Sequence, residues 1–138
     1  MKIDSIINGI VIDHISAGNA MKLYRLLKLN ELDCAVAIIQ NAVSQKMGRK
    51  DIIKVGASID VDMDILGYVD PNATVAIIRN GQLVEKKTIE LPLELRNVLT
   101  CKNPRCITST EQELKQVFKL TDRAKREYRC IYCETKVK

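Results

Sequence analysis

Four of the five cysteines lie in two close pairs near the end of the chain. Four residues separate Cys101 from Cys106, and two residues separate Cys130 from Cys133. Each pair spans a tight turn that brings two sulfur atoms to one point, which is the usual construction of a four-thiolate zinc site. Four thiolates complete a tetrahedral shell and leave no coordination position for water or substrate. The spacing therefore predicts one structural Zn²⁺ bound by these four cysteines.

Disulfide bonds are the alternative interpretation of the same cysteines. The chain shows no secretory signal pattern, because the apolar run around Ile10 is short and is interrupted by Asp13 and His14. We therefore expect a cytoplasmic protein in a reducing compartment, where disulfides are rare. No run approaches the length that is needed to span a membrane. The fifth cysteine, Cys34, lies in an apolar run and is expected to be a buried free thiol.

The zinc segment is too short to fold on an apolar core alone. It covers about forty residues, and a structural zinc supplies on the order of 10 kcal/mol to the folding of peptides of this kind. Pro92 cannot continue a β-ladder, so we place a domain boundary there. The sequence thus predicts an independent domain at residues 1–92 and a zinc-binding domain at residues 93–138.

The formal net charge of +5 lies entirely in the zinc segment. Residues 1–92 contain 11 basic and 11 acidic residues, whereas residues 93–138 contain 11 basic and 6 acidic residues. Four thiolates with one Zn²⁺ offset part of this excess. Phe118, Tyr128 and Tyr132 are too few aromatic residues for a base-stacking platform. A nucleic-acid-binding zinc ribbon is the alternative function, and this charge distribution weakens it.

Amphipathic and β-branched segments predict an α+β fold. Apolar spacing from Ala20 predicts a helix that ends near Leu29, with Asn19 as its N-cap, and segment 60–69 predicts a second helix with an acidic start. Asn80-Gly81 between two strand-like runs predicts a type I′ hairpin. Further predictions are strands at 3–12, 34–39 (a central strand) and 50–57, a loop at 41–49, a short helical or extended lead at 94–100, and a hairpin across 108–129.

The order of these segments predicts an N-terminal antiparallel sheet with two helices on one face. A small C-terminal all-β zinc domain follows it. This arrangement is the fold class that the sequence favours.

A small basic cluster is the candidate binding feature of the first domain. Lys50, Ile52 and Lys54 share one face of the strand at 50–57, and Lys86 lies on the second strand of the hairpin. Cations that converge on one sheet face suit a polyphosphate, and solvated charge is the alternative. His14 is the one histidine, and no nucleophile motif or phosphate-binding loop accompanies it. No catalytic site is predicted.

Several motifs occur in one order along nearly the whole chain: Val11-Ile-Asp-His14-Ile15, Met47-Gly-Arg-Lys-Asp51-Ile-Ile-Lys54, Ala73-Thr-Val75, Pro92, and the cysteine pairs ending in Cys133-Glu134. This combination resembles the regulatory chain of aspartate carbamoyltransferase. The resemblance implies a non-catalytic subunit of pyrimidine biosynthesis. It also implies CTP, UTP and ATP as effectors and a homodimer formed through the N-terminal domain. The zinc domain then docks on catalytic trimers, and neither nucleic acid nor membrane is a partner.

The resemblance also implies the site residues. Asp13 corresponds to a residue near the ribose, His14 and Lys86 to residues at the phosphates, and Lys54 to a lysine at the base and ribose. Lys50 is a further candidate near the phosphates. The lining residues by this resemblance are Ile3, Asp4, Ile6, Val11, Ile78 and Leu83.

Two positions depart from the family pattern at the base end of the site. Ala76 stands where an amide side chain is familiar, and Gly81 where an aromatic is familiar, so nucleotide selectivity does not follow from the resemblance. In the zinc domain, the residues that resemble the surface meeting the catalytic chain are Asn103, Arg105, Tyr132 and Glu134.

Overall fold

The computed structural model of the protein describes residues 8–111 and 113–137. The chain divides into two compact units, Met1–Glu90 and Leu91–Lys138, and each unit contains its own sheet. The lining candidates Ile3, Asp4 and Ile6 lie outside the described residues. In the part of the chain that is described, no helix is long and apolar enough to cross a membrane.

The first unit is an antiparallel sheet with two short helices. Its strands are β1 (Gly9–Ser16), β2 (Val36–Ser44), β3 (Gly48–Val55), β4 (Thr74–Arg79) and β5 (Gln82–Thr88), and its helices are α1 (Ala20–Leu26) and α2 (Met63–Val69), with a 3₁₀ turn at Leu29–Glu31. The strands of the described residues lie in the order β2-β3-β1-β4-β5, and every neighbouring pair is antiparallel.

One face of this sheet carries the apolar core. Ile12, Ile53 and Val75 are cross-strand neighbours on the three central strands, and all three are buried. Leu23 of α1 and Leu66 of α2 belong to the same apolar cluster, so both helices cover this face. Each fully buried leucine contributes about 1.5–3 kcal/mol through the hydrophobic effect. The predicted antiparallel sheet with two helices on one face is confirmed.

The start of α1 is stabilised by a residue from β3. Asn19 occupies the predicted N-cap position, but its side-chain amide donates a hydrogen bond to Asp70 instead of capping the helix. The buried carboxyl group of Asp51 accepts hydrogen bonds from the N–H groups of Gly18 (3.0 Å) and Ala20 (3.2 Å). A carboxyl group near a helix N-terminus satisfies N–H groups that have no intrahelical acceptor.

The first helix is shorter than predicted, and the second lies in the later part of its predicted segment. The first helix ends at Leu26, because the chain turns at Lys28, which has a left-handed φ of 55°. The second helix begins at Met63 rather than at residue 60. Its N-cap is Asp62, whose side chain accepts hydrogen bonds from two N–H groups of the first turn.

The predictions for residues 34–49 are wrong in two respects. Strand β2 lies at an edge of the sheet among the described residues and is not central, and it extends to Ser44 through the predicted loop. Polar residues stay in the ladder through a bulge at Gln40-Asn41, which lies opposite Asp51. The N–H of Asn41 donates to the Asp51 carboxyl group at 2.9 Å, which compensates for the interrupted ladder.

The hairpin between β4 and β5 has the predicted turn. Asn80 has a φ of 53° and Gly81 a φ of 75°. Positive φ at both central residues is the requirement of a type I′ turn, whose twist matches that of the flanking strands. The predicted two-residue hairpin is confirmed.

The second unit is a small three-stranded sheet. Its strands are β6 (Glu94–Arg96), β7 (Val117–Asp122) and β8 (Glu127–Cys130), with a 3₁₀ turn at Ile107–Ser109. Leu95, Phe118 and Tyr128 form its buried apolar centre, and the hydroxyl group of Tyr128 donates to the carbonyl oxygen of Pro92 at 2.6 Å. The segment before the first cysteine contains the strand Glu94–Arg96 and no helix. The hairpin is shorter than predicted and begins at Val117.

Candidate functional site

The four paired cysteines converge in the second unit. Their Sγ atoms all lie within 4.8 Å of one another. The Sγ–Sγ distance is 3.6 Å between Cys101 and Cys133 and 3.7 Å between Cys106 and Cys130. A tetrahedral zinc ion with Zn–S bonds of about 2.3 Å places its sulfur ligands about 3.8 Å apart. The cluster therefore fits a closed four-thiolate metal site.

Local hydrogen bonds shape both cysteine turns. In the first turn, the N–H of Cys106 donates to the carbonyl oxygen of Asn103 (3.1 Å), and the N–H of Arg105 donates to the Asn103 side chain (3.0 Å). In the second turn, the N–H of Glu134 donates to the carbonyl oxygen of Cys130 (2.9 Å), and Glu134 has a left-handed φ of 62°. These turns direct two sulfur atoms from each pair toward one centre.

Polar side chains surround two of the sulfur atoms. The hydroxyl group of Thr108 donates to the Sγ of Cys106 (3.1 Å), and the Thr135 hydroxyl lies 3.2 Å from the Sγ of Cys133. The side-chain amide of Asn103 donates to the Thr135 hydroxyl (3.0 Å). Such contacts orient metal ligands and stabilise their charge.

The sulfur atoms differ in acidity. Burial raises the pKa of Cys101 to about 12, and hydrogen bonds with the other three cysteines add to the increase. Burial also acts to raise the pKa of Cys133, but hydrogen bonds with Thr135, Asn103 and Cys101 outweigh it and lower this pKa to about 6. A metal cation that binds all four sulfur atoms displaces the protons that the thiols still carry.

A row of side chains crosses the outer face of the first sheet, which we define as the face opposite the helices. Lys54, Val11, Ala76 and Lys86 are successive cross-strand partners on β3, β1, β4 and β5. Cross-strand partners lie about 4.5–5.5 Å apart, so the row places a lysine on each side of a narrow apolar strip. Among the described residues, neither lysine forms an ion pair.

A bulge in β1 brings two consecutive residues to this outer face. Ile12 pairs with Ile53 and Ile15 pairs with Asp51, so Asp13 and His14 together oppose a single residue of β3. Ile12 and Ile15 are three positions apart in the sequence, and both are fully buried. In a regular strand they would point to opposite faces. The bulge therefore keeps both isoleucines in the core and releases Asp13 and His14 from it.

Polar contacts hold the two released side chains. The Nδ1 atom of His14 lies 3.0 Å from the hydroxyl oxygen of Thr74, and the Nζ atom of Lys50 lies 2.9 Å from the Oδ1 atom of Asp13. Burial acts to raise the pKa of Asp13, but the hydrogen bond from Lys50, the N–H of His14 and the nearby positive charge outweigh it. The pKa of Asp13 therefore lies below its ordinary value of 3.8. The result is a polar cluster at one end of the row.

Family comparisons match both units. The family model of the aspartate carbamoyltransferase regulatory chain, allosteric domain, matches residues 1–90, and the model of its metal binding domain matches residues 93–138. The chain belongs to the aspartate carbamoyltransferase regulatory chain family. The resemblance that the sequence motifs indicated is thereby confirmed.

Relatives of the same name cover nearly the whole chain. The aspartate carbamoyltransferase regulatory chain of Clostridium botulinum (strain Hall) is 48% identical over 134 residues, which is 97% of this chain and 92% of the relative. That of Clostridium acetobutylicum has the same identity and coverage. That of Bifidobacterium longum is 44% identical over 138 residues, which is 100% of this chain and 99% of the relative.

The family identity fixes the general role of the chain. A regulatory chain is the non-catalytic, allosteric subunit, so the prediction that this chain is not itself an enzyme is confirmed. Association with a catalytic chain follows from the same identity. The four-cysteine cluster lies in the unit that the metal binding domain model matches.

The structure brings together the effector residues implied by the resemblance, as far as they are described. Ile78 and Leu83 are partners across β4 and β5 and extend the row on the outer face. Leu83 is largely exposed. The candidates that share this face are Val11, Asp13, His14, Lys50, Lys54, Ile78, Leu83 and Lys86.

The docking candidates flank the cysteine turns of the regulatory chain. Sequence reasoning missed two exposed apolar residues beside them, Ile107 and Ile131, which are 51% and 46% exposed. Each directly follows a buried cysteine of the cluster, and this position was the available signal. The residues that sequence reasoning did name here are Asn103, Arg105, Tyr132 and Glu134, of which Arg105, Tyr132 and Glu134 are exposed.

Proposed function

We propose that the outer face of the first sheet binds CTP, UTP and ATP as allosteric effectors of aspartate carbamoyltransferase. In this proposal the domain at residues 1–92 binds the nucleotide. The domain at residues 93–138 carries one structural Zn²⁺ and docks on catalytic trimers. The subunit then acts in pyrimidine biosynthesis in the cytoplasm.

The cationic and polar side chains on one sheet face carry this proposal. A nucleoside triphosphate brings several negative charges, and Lys86 and His14 supply donors for its phosphates, with Lys50 as a further cation. Asp13 accepts hydrogen bonds and therefore suits a ribose hydroxyl group. Lys54 suits the base and ribose. The apolar strip between the two lysines of the row offers a surface to a flat ring.

Base selection falls to the main chain and to apolar side chains. Ala76 and Gly81 carry no side-chain hydrogen-bonding group, and Ile78 and Leu83 make only apolar contacts. In such a site, few side chains can form hydrogen bonds with the edge of the base. We therefore include both pyrimidine and purine triphosphates among the effectors.

Exposed apolar residues beside the cysteine turns support docking on a catalytic chain. Ile107, Ile131 and Tyr132 are 51%, 46% and 39% exposed. An apolar centre with a polar rim is the usual composition of a protein interface. The metal ion would hold the two turns, and the turns would present this surface. The polar residues around it are Asn103, Arg105 and Glu134.

The edge formed by β2 supports a homodimer through the N-terminal domain. Segment 36–44 contains no charged side chain, and Val43 is 79% exposed. Edge strands that avoid association usually carry charged residues or proline. An uncharged edge is therefore suited to pairing with a second copy of this chain.

Regulation in this proposal is thermodynamic linkage. A nucleotide that binds two quaternary states of the complex with unequal affinity shifts their populations by that difference. Couplings of this kind are typically about 1–3 kcal/mol.

Reconstitution with the cognate catalytic trimer tests the proposal. We expect the two proteins to co-elute in size-exclusion chromatography, and the activity of the complex to change with CTP, UTP or ATP but not with cytidine. An intact complex whose activity ignores all three nucleotides would contradict the effector role. Failure to co-elute in the presence of zinc would contradict the docking role.

A further inference from the structure

The carboxyl group of Asp70 is buried at a junction of three chain segments. Asp70 is 1% exposed and directly follows α2, where its N–H donates to the carbonyl oxygen of Leu66 (2.8 Å). Its Oδ2 atom accepts hydrogen bonds from the N–H of Ser16 and from the side-chain amide of Asn19 (3.3 Å), and its Oδ1 atom accepts one from the N–H of Asn72 (3.1 Å). A buried carboxyl group is unfavourable unless such donors compensate for lost hydration.

The segments that Asp70 joins lead directly to two residues of the outer face. Ser16 ends β1 two positions after His14, and Asn72 lies two positions before Thr74, which begins β4. The His14 ring contacts the Thr74 hydroxyl at 3.0 Å. Asp70 therefore connects the end of one strand to the approach of the other, next to the place where their side chains meet.

The conformation of His14 requires support on both sides. Its φ of 57° is left-handed, which costs a non-glycine residue about 1–2 kcal/mol. Such a conformation persists only where the surrounding structure fixes it. On the N-terminal side, the carboxyl group of Asp13 accepts the N–H of His14 at 2.6 Å. On the C-terminal side, the carboxyl group of Asp70 accepts a hydrogen bond from the N–H of Ser16.

We infer that Asp70 is a positioning residue of the effector site. It holds the ends of β1 and β4 so that His14 remains on the outer face beside Thr74, where its ring is available to the phosphates. Asp70 itself touches no ligand in this scheme. The inference rests on the proposed nucleotide binding for its functional consequence, and on the local contacts alone for its structural consequence.

Calorimetric titration of Asp70→Asn in the full chain tests the functional consequence. Asparagine keeps the shape of the side chain but presents an N–H group to at least one of the three donors, so that bond is lost. We expect the affinity for CTP to fall about tenfold, because a displaced His14 ring loses its hydrogen bond to a phosphate group. The affinity for cytidine is expected to change little. An unchanged affinity for CTP, or equal losses for both ligands, would overturn the inference.

Asp62→Ala is the matched control at the opposite end of α2. The Asp62 side chain caps the first turn of α2, and its hydrogen bonds go to that turn rather than to β1 or the approach to β4. Its removal therefore destabilises the same helix and leaves the junction at Asp70 intact. We expect its affinity for CTP to stay within about twofold of the wild-type value. If Asp62→Ala loses as much affinity for CTP as Asp70→Asn does, both losses come from general destabilisation, and the positioning role is refuted.

A double-mutant cycle with Thr74→Val tests the route of the effect. Residues that act through one contact show non-additive losses. If Asp70 acts by keeping His14 beside Thr74, Asp70→Asn adds less than about twofold to the loss caused by Thr74→Val. Fully additive losses would contradict this route.

The ¹⁵N signals of the His14 ring test the structural consequence without any nucleotide. In Thr74→Val the Nδ1 atom lacks its hydroxyl partner, and we expect the Nδ1 signal of Asp70→Asn to shift toward the signal of that variant. An Nδ1 signal at the wild-type position in Asp70→Asn would refute the inference. Failure of the wild-type chain to bind CTP would refute the proposed function alone, since the ring signal still decides the positioning role. If Asp70→Asn does not fold, Asp70→Ser is the substitute, because its shorter side chain cannot accept from the N–H groups of both Ser16 and Asn72. An unmoved ring signal in that variant then refutes the inference.

Discussion

At the residue scale, the left-handed conformation of His14 determines which side chains reach the outer face. The sequence shows Ile12-Asp-His-Ile15, and strict alternation would send one isoleucine out of the core. The bulge keeps both isoleucines buried, because the extra residue restores the alternation. No sequence signal pointed to Thr74 as the partner of His14, since only the pairing of β1 with β4 brings them together.

Lys86→Ala is expected to weaken triphosphate binding selectively. Loss of one phosphate-contacting ammonium group should lower the affinity for CTP about tenfold or more and leave the affinity for cytidine nearly unchanged. Isothermal titration calorimetry measures both. Lys87→Ala is the matched control, because Lys87 is opposite Val75 and thus on the other face of β5. A comparable loss in Lys87→Ala would indicate a general charge effect instead of a phosphate contact.

The ion pair between Asp13 and Lys50 gives a prediction at acidic pH. The pKa of Asp13 is below its ordinary value of 3.8 in the folded protein, so the ionised group stabilises the fold above that value, and this contribution is lost as the pH falls through the lowered pKa. Lys50→Met removes the main opposing interaction and leaves the effect of burial. We expect the pKa of Asp13 to rise and the acid unfolding midpoint to move to higher pH.

Carboxyl ¹³C titration by NMR measures the pKa of Asp13 in both proteins. Lys46→Met is a suitable control, because Lys46 lies exposed in the turn between β2 and β3 and forms no ion pair within the described residues. The same pKa change in both variants would contradict a specific pairing with Lys50.

At the scale of elements, β2 shows how composition misleads about position in a sheet. Its run Val36-Ala-Ile-Ile39 has the composition of a central strand, yet β2 is an edge strand among the described residues. An edge strand can carry the same apolar run as a central strand, because one of its faces packs on the core and its free edge can pair with another chain. The Asn80-Gly81 turn was predictable, because its backbone geometry depends only on local residues.

Within the metal-binding unit, the hydroxyl group of Tyr128 links β8, the strand that carries Cys130, to the segment at Pro92 by a hydrogen bond. Tyr128→Phe removes the hydrogen bond to the carbonyl oxygen of Pro92 and leaves this buried oxygen without that donor. We expect the free energy of unfolding of the zinc-loaded unit to fall by about 1–2 kcal/mol, with the zinc content unchanged. Urea denaturation, followed through amide signals of this unit, provides the measurement.

Thr121→Val is the control for this prediction. Thr121 lies in the same hairpin, and its exposed hydroxyl group donates to the carbonyl oxygen of Glu127 at 3.2 Å. Removal of an exposed hydroxyl group should change the free energy of unfolding by less than about 0.5 kcal/mol. Equal losses in the two variants would refute a special role for the buried tyrosine.

At the scale of the whole molecule, the allosteric domain and the metal binding domain are different units. The allosteric domain model matches residues 1–90, and the metal binding domain model matches residues 93–138. A closed four-thiolate shell provides no open metal position. The cysteines, which are the clearest chemical signal in the sequence, therefore serve structure, and the regulated chemistry belongs to the catalytic chain.

Zinc removal is expected to affect the two units differently. Without the metal, residues 101–133 lose their fold and the catalytic chain dissociates, because the small apolar centre around Phe118 and Tyr128 is insufficient by itself. The first unit stays folded and still binds CTP. Chelation followed by size-exclusion chromatography and calorimetry tests both parts. A metal-free chain that retains its catalytic partner would contradict the structural role of zinc.

Cysteine variants provide the control for metal content. Cys133→Ser should lower zinc content and stability, whereas Cys34→Ser should retain one zinc per chain, because Cys34 lies outside the cluster. Atomic absorption measures the ratio. Loss of zinc in Cys34→Ser would contradict the ligand set.

The sequence by itself determined the features that depend on short-range spacing and on motif order. These are the two cysteine turns, the Asn-Gly hairpin, the α+β class and the family, since each depends on residues that are close in the chain or on a recognisable order of motifs. Only the tertiary structure decided the edge position of β2, the bulge at His14 and the junction at Asp70. These features depend on strand order and register, which are set by burial summed over distant segments and not by any local preference.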